Sequence, residues 1–253
     1  MSGAETSPFP ADDAELTRLA RRVGPVLFMR GATGDRLSLA AILVRPADEA
    51  PPVLATPGGG IAPVRIFERY GLAVSRYAFE LTMGNDAWYE VEGTRYPVAA
   101  DLRGDMRVGF VSCNGQEEGD RERPEASRNV LWSRLCRQHD AAPLNLLLQG
   151  GDQIYADEVF DVHPVAQEWS KPTGDAGADK GAQVPAITDA LSRALFQRYL
   201  ELYGQPEPAY ILARVPSLAM WDDHDIHDGW GSVPDEKLDS PVGRAVFALA
   251  REH

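Results

Sequence analysis

Between residues 24 and 98 the chain alternates short apolar or in-and-out runs with turn residues. The runs are Pro25-Val26-Leu27-Phe28-Met29, the alternating stretch 37–44, Tyr77-Ala78-Phe79-Glu80-Leu81 and Trp88-Tyr89-Glu90-Val91. Gly34-Asp35, Pro51-Pro52, Gly58-Gly59-Gly60 and Gly84-Asn85-Asp86 separate them. Strands this short at this spacing predict a small β-sandwich over residues 21–100. Residues 1–20 are largely polar in their first part, carry Pro8 and Pro10, and read as a flexible arm. No Lys-Ser or Lys-Thr follows the triple glycine, so it reads as a flexible turn and not as a phosphate loop.

The pattern changes near residues 97–103. Residues 106–112 read as a strand, and 127–139 as a helix with Val130, Leu131 and Leu135 on one face. The run 144–148 has the length of a buried strand and ends abruptly in Gly150 and Gly151, which let the backbone turn and approach another segment closely. If a helical turn follows, Asp152 and Tyr155 share one side of it. Residues 169–184, rich in Gly, Ala, Asp and Lys, read as an exposed insertion. A helix is expected over 187–202, with Gly204 as its stop, then a strand at 217–221 and the beginning of a helix at 241. The order β-α-β predicts a partly parallel sheet. The fold class is α/β (α+β): an N-terminal small β-sandwich, then, over 104–253, the first part of an α/β sandwich.

Composition narrows the function. At 253 residues the chain has room for two ordinary domains, and 44% hydrophobic with 25% charged residues fits a globular protein. A net charge of −13 argues against direct nucleic-acid binding, which needs a basic face. An acidic chain that handles phosphate must neutralise its substrate locally, as bound cations would. No stretch reaches the roughly 20 apolar residues that span a bilayer, no export signal is read, and Cys113 and Cys136 are too few for a disulfide framework, so a cytoplasmic setting without membrane association is expected.

Three predicted strands end in polar residues able to do chemistry: Cys113 with Asn114, Asp152 with Tyr155, and Asp223 with His224. Open α/β sheets place their ligands at such carboxyl ends. Taken singly each pair has an ordinary structural reading as core packing, turn or cap. Together, thiolate, carboxylates, phenol and imidazole suit a metal site better than a serine or cysteine hydrolase, for which no nucleophile elbow is visible. Asn114 either contacts phosphate or caps a turn, and Trp169 and Trp230 either line a substrate mouth or pack. His227 and Asp228 are candidates for the layer behind the site, whereas His163 reads as a surface residue. Cys136 and His139, at i and i+3, are too few ligands for structural zinc.

The motifs Phe110-Val111-Ser112-Cys113-Asn114, Gln149-Gly150-Gly151-Asp152-Gln153-Ile154-Tyr155 and Met220-Trp221-Asp222-Asp223-His224-Asp225 resemble those of the alkaline phosphatase D (PhoD-like) branch of the metallophosphatases. The likeness runs from about residue 106 to 230. It implies metal-dependent hydrolysis of phosphate monoesters or diesters at a dinuclear centre of Fe3+ and Ca2+. Asp152 would be shared by the two ions, Cys113 and Tyr155 would bind the iron, and Asp223 would hold the second metal. His224 would bind substrate phosphate or protonate the leaving oxygen, with Asn114 beside it. Such sites draw further histidine and aspartate ligands from later sequence. The resemblance therefore implies that residues 104–253 supply the N-terminal part of the catalytic domain, with an exposed sheet edge and apolar face. A non-catalytic β-sandwich module joined to an incomplete catalytic domain is the alternative.

Overall fold

The computed structural model describes residues 11–84, 86–117, 120 and 123–253. Residues 13–20, read as part of a flexible arm, form helix α1 (Asp13–Ala20). The Asp12 carboxylate caps it by accepting from Glu15 N, and Leu16 and Leu19, three residues apart, are buried on one side. Residues 1–10 of that arm lie outside the described residues.

The expected short strands follow: β1 (Val26–Thr33), β2 (Arg36–Pro46), β3 (Leu54–Thr56), β4 (Gly59–Ile61), β5 (Val64–Arg69), β6 (Leu72–Thr82), β7 (Trp88–Val91) and β8 (Thr94–Pro97). The triple glycine is part of the β3–β4 hairpin, where Thr56 pairs with Gly59. Next come β9 (Val108–Val111), α2 (Glu125–Arg128), α3 (Val130–Ala141), β10 (Leu146–Gln149), α4 (Pro164–Ser170), α5 (Val184–Tyr203), α6 (Pro206–Leu212), β11 (Ser217–Ala219), α7 (Asp235–Leu238) and α8 (Pro241–Glu252). The fold is mixed α/β. No helix among the described residues is long and apolar enough to cross a membrane.

The strands form two sheets. One has four strands in the order β4-β3-β7-β8; the other has seven, in the order β5-β6-β2-β1-β11-β10-β9. Leu39, Leu43, Leu54, Tyr77, Tyr89 and Leu81 fill the space between the sheets, as in–out alternation requires. The larger sheet does not stop at the β-rich part. β1 pairs in parallel with β11 through Phe28 and Ser217, and β11, β10 and β9 continue it as parallel neighbours, with Leu147 opposite both Ser217 and Gly109. The Ser217 hydroxyl secures this join by donating to Leu27 O at 3.0 Å.

Two further cores fix the helices. Leu144, Leu147, Phe196, Leu200, Ile211 and Val215 pack one face of the parallel strands against α1, α5 and α6. Trp169, Ile187, Leu191, Leu195, Val242 and Val246 join α4, α5 and α8. Trp169 thus packs and does not line a substrate mouth: it is fully buried, stacks on Phe160 at 5.8 Å and lies beneath the Lys237 ammonium. The reading of 169–184 as an exposed insertion fails at its first residue for that reason. Trp230 stacks on Phe247 at 5.6 Å. In α3 the expected apolar face is corrected as well. Val130 and Leu131 are 56% and 75% exposed, while Leu135 packs inward.

β9 is an edge strand. On the face away from the helices Phe110 is 69% and Met220 63% exposed, and Val108, Leu218 and Trp221 are exposed too. These side chains form an exposed edge and apolar face beside the strand ends.

Candidate metal and phosphate site

The candidate site lies where β9, β10 and β11 end side by side. Each strand runs out into a loop, and backbone hydrogen bonds knit the loops together. Gly150 N donates to Val111 O, Cys113 N to Gly151 O, Asn114 N to Asp152 O, Met220 N to Gln149 O and Ala156 N to His224 O. The two glycines after β10 have distinct reasons. A Cβ on Gly150 would meet the Phe110 ring at 2.6 Å. One on Gly151, whose φ is +102°, would meet the Asp222 Cβ at 2.4 Å.

Asp152 is placed by this turn. Its φ is +53°, and that of Cys113 is +55°, a left-handed conformation that non-glycine residues adopt only when their surroundings hold them there. For Asp152 the restraint is Asp225, which is buried. Asp225 Oδ2 accepts from Asp152 N at 2.8 Å and Asp222 N at 3.0 Å, and Oδ1 accepts from Ile154 N at 3.1 Å. No helical turn follows Asp152; residues 151–156 form a bend, and the 3-10 helix begins only at Asp157. Asp152 and Tyr155 meet through Cys113 instead. The Cys113 thiol donates to Asp152 Oδ2 at 3.2 Å, and Tyr155 lies close enough for Cys113 and Asp152 to raise its phenol.

Asp223 and His224 enter from β11 in another short 3-10 helix, Asp223–Asp225. The His224 ring stacks on Tyr155 with centroids 4.3 Å apart. Its Nδ1–H donates to Asp157 Oδ2 at 2.6 Å, and Nε2 lies 3.8 Å from Asp228 Oδ1. Burial pulls the imidazole pKa down. The Asp157 hydrogen bond and charge, with Asp223 and Asp152, outweigh that, so it rises above its ordinary value. Burial pushes Asp223 up, but the Gly229 amide, His224 and other nearby amides outweigh it, and its carboxyl is held low. Burial, then the neighbouring Cys113 and Asp152, push the Tyr155 phenol well up.

Ligand atoms of Asp152, Asp223 and His224 lie within 4.8 Å of one another, and so do those of Glu117, Asp157 and His224. Asp152 Oδ1 is buried and makes no hydrogen bond. A bare, buried carboxylate oxygen among other oxygen and nitrogen donors fits a cation. Cys113, Asp152, Tyr155, Asp223 and His224 are therefore all brought together, with His224 also among the possible ligands. Asn114 is beside them, but its amide is committed at both ends: Nδ2 donates to Gln153 O at 3.2 Å and Oδ1 accepts from Trp132 Nε1 at 2.7 Å.

The sequence profile of the PhoD related phosphatases matches residues 91–252, well over half of the chain. The chain belongs to the PhoD-related phosphatase family. Over 199 residues this family member is 29% identical to the uncharacterized protein YGR266W of Saccharomyces cerevisiae, a stretch that is 68% of the chain and 28% of the yeast protein. The chain thus spans well under half the length of that relative. A solved structure described as that of PhoD aligns with a TM-score of 0.46 at 13% identity, covering 100% of this chain and 47% of the other.

Other expected residues of this family member sort differently. Asp228 backs the site, its amide donating to Asp157 Oδ1 at 2.8 Å. His227 does not: it bonds to Ser170 O and packs edge-on against Phe160 and Trp169. His163 caps α4 by accepting from Val165 N. Cys136 lies against Glu207 O, and His139 accepts from Leu144 N, so each has a local task. Sequence reasoning missed Glu117, Asp157 and the anchoring role of Asp225. Only Asp225 left a local signal, since Asp222 and Asp225 have capping-box spacing; the Asp157 bond spans 67 residues.

Proposed function

We propose that this site serves metal-dependent hydrolysis of phosphate esters, monoesters or diesters, and that Fe3+ and Ca2+ are its metals. The observation that carries the reading is Asp152 Oδ1, buried and without a donor at the joint edge of three parallel strands. Asp152 and Asp223, with Cys113 and Tyr155, would hold the metals. Glu117 and Asp157 add oxygen ligands within reach of His224, and oxygen donors suit Ca2+. Bound cations would supply positive charge for the phosphoryl oxygens and lower the pKa of a coordinated water to about 7.

The chain's own groups have separable tasks. With Nδ1 on Asp157, His224 is held in the tautomer that leaves Nε2 to face a substrate. The raised pKa favours the imidazolium, whose Nε2 proton would go to the departing alkoxide. The Tyr155 phenol, pushed up by its surroundings, stays protonated until a cation displaces its proton. Asn114 positions the Cys113 and Asp152 loops, because both ends of its amide are already used.

The test is metal content and an electronic spectrum, followed by turnover of 4-nitrophenyl phosphate and bis(4-nitrophenyl) phosphate. Asp152→Ala is expected to lose metal and turnover together, whereas His224→Ala loses turnover and keeps much of the metal. A tyrosinate-to-iron band should vanish in Tyr155→Phe. Full turnover in Asp152→Ala would overturn the reading.

A further inference from the structure

A cavity of about 470 Å³ opens beside the candidate metal site, between the ends of β9 and β10 and helices α2 and α3. Cys113 and Asp152 form one side, and Val111, Leu135 and Leu212 give it an apolar floor. A volume of that size suits a small organic molecule.

The polar lining is unusual in kind. Gln149 is 4% exposed, yet its side-chain N–H2 group has no hydrogen-bond partner. Gln153 Nε2 and Arg128 Nε, which also line the cavity, are buried and unpartnered. Buried polar groups are nearly always satisfied, so three bare donors around one cavity require an explanation. Arg134 lines the same space, and neither it nor Arg128 has a carboxylate partner among the described residues. Arg123, at the rim, is paired with Asp120. In a chain of net charge −13, this is a local collection of donors and cations with no acceptor of their own.

We infer that the cavity is a subsite for the alcohol portion of the substrate, and that this portion carries a second phosphate. This rests on the proposed phosphate-ester chemistry and names its substrate class: diphosphorylated small molecules, with one phosphate at the metal ligands and the other at Arg128, Arg134 and the Gln149 amide. Small rotations of these side chains turn their unpartnered N–H groups to the incoming oxygens. The apolar floor takes the carbon skeleton between the two phosphates.

Calorimetric titration of the full 253-residue chain in excess EDTA tests the subsite without relying on metal or turnover. The probes are fructose 1,6-bisphosphate and unphosphorylated fructose. The bisphosphate should bind at least about tenfold more tightly, since one charge-assisted hydrogen bond is worth about that factor. Arg128→Ala and Arg134→Ala should each remove most of the difference, and Gln149→Glu, which replaces the donor by a carboxylate, should abolish it. Arg134 is exposed, so its replacement tests the idea even if a buried variant misfolds. Because EDTA removes metal, this titration reads the subsite alone, and failure of the metal site is read separately from metal content and turnover. Equal affinity for the two probes, or a preference that survives both arginine substitutions, would overturn the proposal.

Discussion

Replacing Asp225 tests the scaffold of the site more sharply than replacing a ligand would. Its carboxylate is 3% exposed and accepts three backbone N–H groups, from Asp152, Ile154 and Asp222. Burial, with Asp152 nearby, raises its pKa although the three amides pull it down, so charge alone is not what keeps it there. The need is for acceptor atoms. Asp225→Asn keeps one oxygen, which can serve the Asp152 and Asp222 amides, and turns an N–H2 toward Ile154 N. One buried donor is then stranded, at roughly 1–3 kcal/mol. Asp225→Ala strands all three and leaves a small void, so the loss should be at least about 3 kcal/mol.

Urea denaturation of both variants measures this, with the midpoint read against an unchanged slope. The order wild type, Asn, Ala is the expected result. A local readout accompanies it. The Asp152 and Ile154 amides should lose hydrogen-exchange protection in both variants, because these bonds hold Asp152 at φ +53°. An Ala variant within about 0.5 kcal/mol of wild type, or retained protection at both amides, would refute the claim that Asp225 sets the conformation of Asp152.

Other outcomes follow from the same geometry. Asp157→Asn removes the charge that helps raise His224, so an NMR titration should show a lower imidazole pKa, and the high-pH limb of kcat/KM should move to lower pH; an unmoved pKa would remove Asp157 from that role. Gly151→Ala brings a Cβ within 2.4 Å of Asp222 at φ +102° and should cost roughly 2–4 kcal/mol by thermal unfolding, so an unchanged Tm would contradict the close approach of β10 and β11. Burial lowers the pKa of His139, whose Nδ1 accepts from Leu144 N. Its folded pKa lies below the unfolded value, so its contribution is complete above about pH 6.5 and is lost as pH falls below that. Urea midpoints of wild type should therefore drop more steeply between pH 7 and 5 than those of His139→Gln, and parallel profiles would exclude this residue as a source of acid sensitivity.

Short strands, the parallel order and the three strand ends were legible in the chain itself, because alternation, apolar runs and glycine turns are local properties. The convergence of Cys113, Asp152, Tyr155, Asp223 and His224 could be expected for the same reason: parallel strands deliver their carboxyl ends to one edge. Local pattern has no access to partners far away in sequence. It could not show that Asp157 holds His224, that Asp225 holds Asp152, or that Asn114 is committed at both ends, since these bonds join segments 18 to 73 residues apart. It misplaced Trp169, whose polar neighbours in sequence are not its neighbours in space. The apolar face of α3 failed on the same ground: which side of a helix is buried depends on what packs there, and tertiary packing alone left Val130 and Leu131 exposed. Tertiary structure also decided that the β-rich part and the candidate site share one sheet, because strand pairing between Phe28 and Ser217 joins positions 189 residues apart, which neither segment encodes by itself.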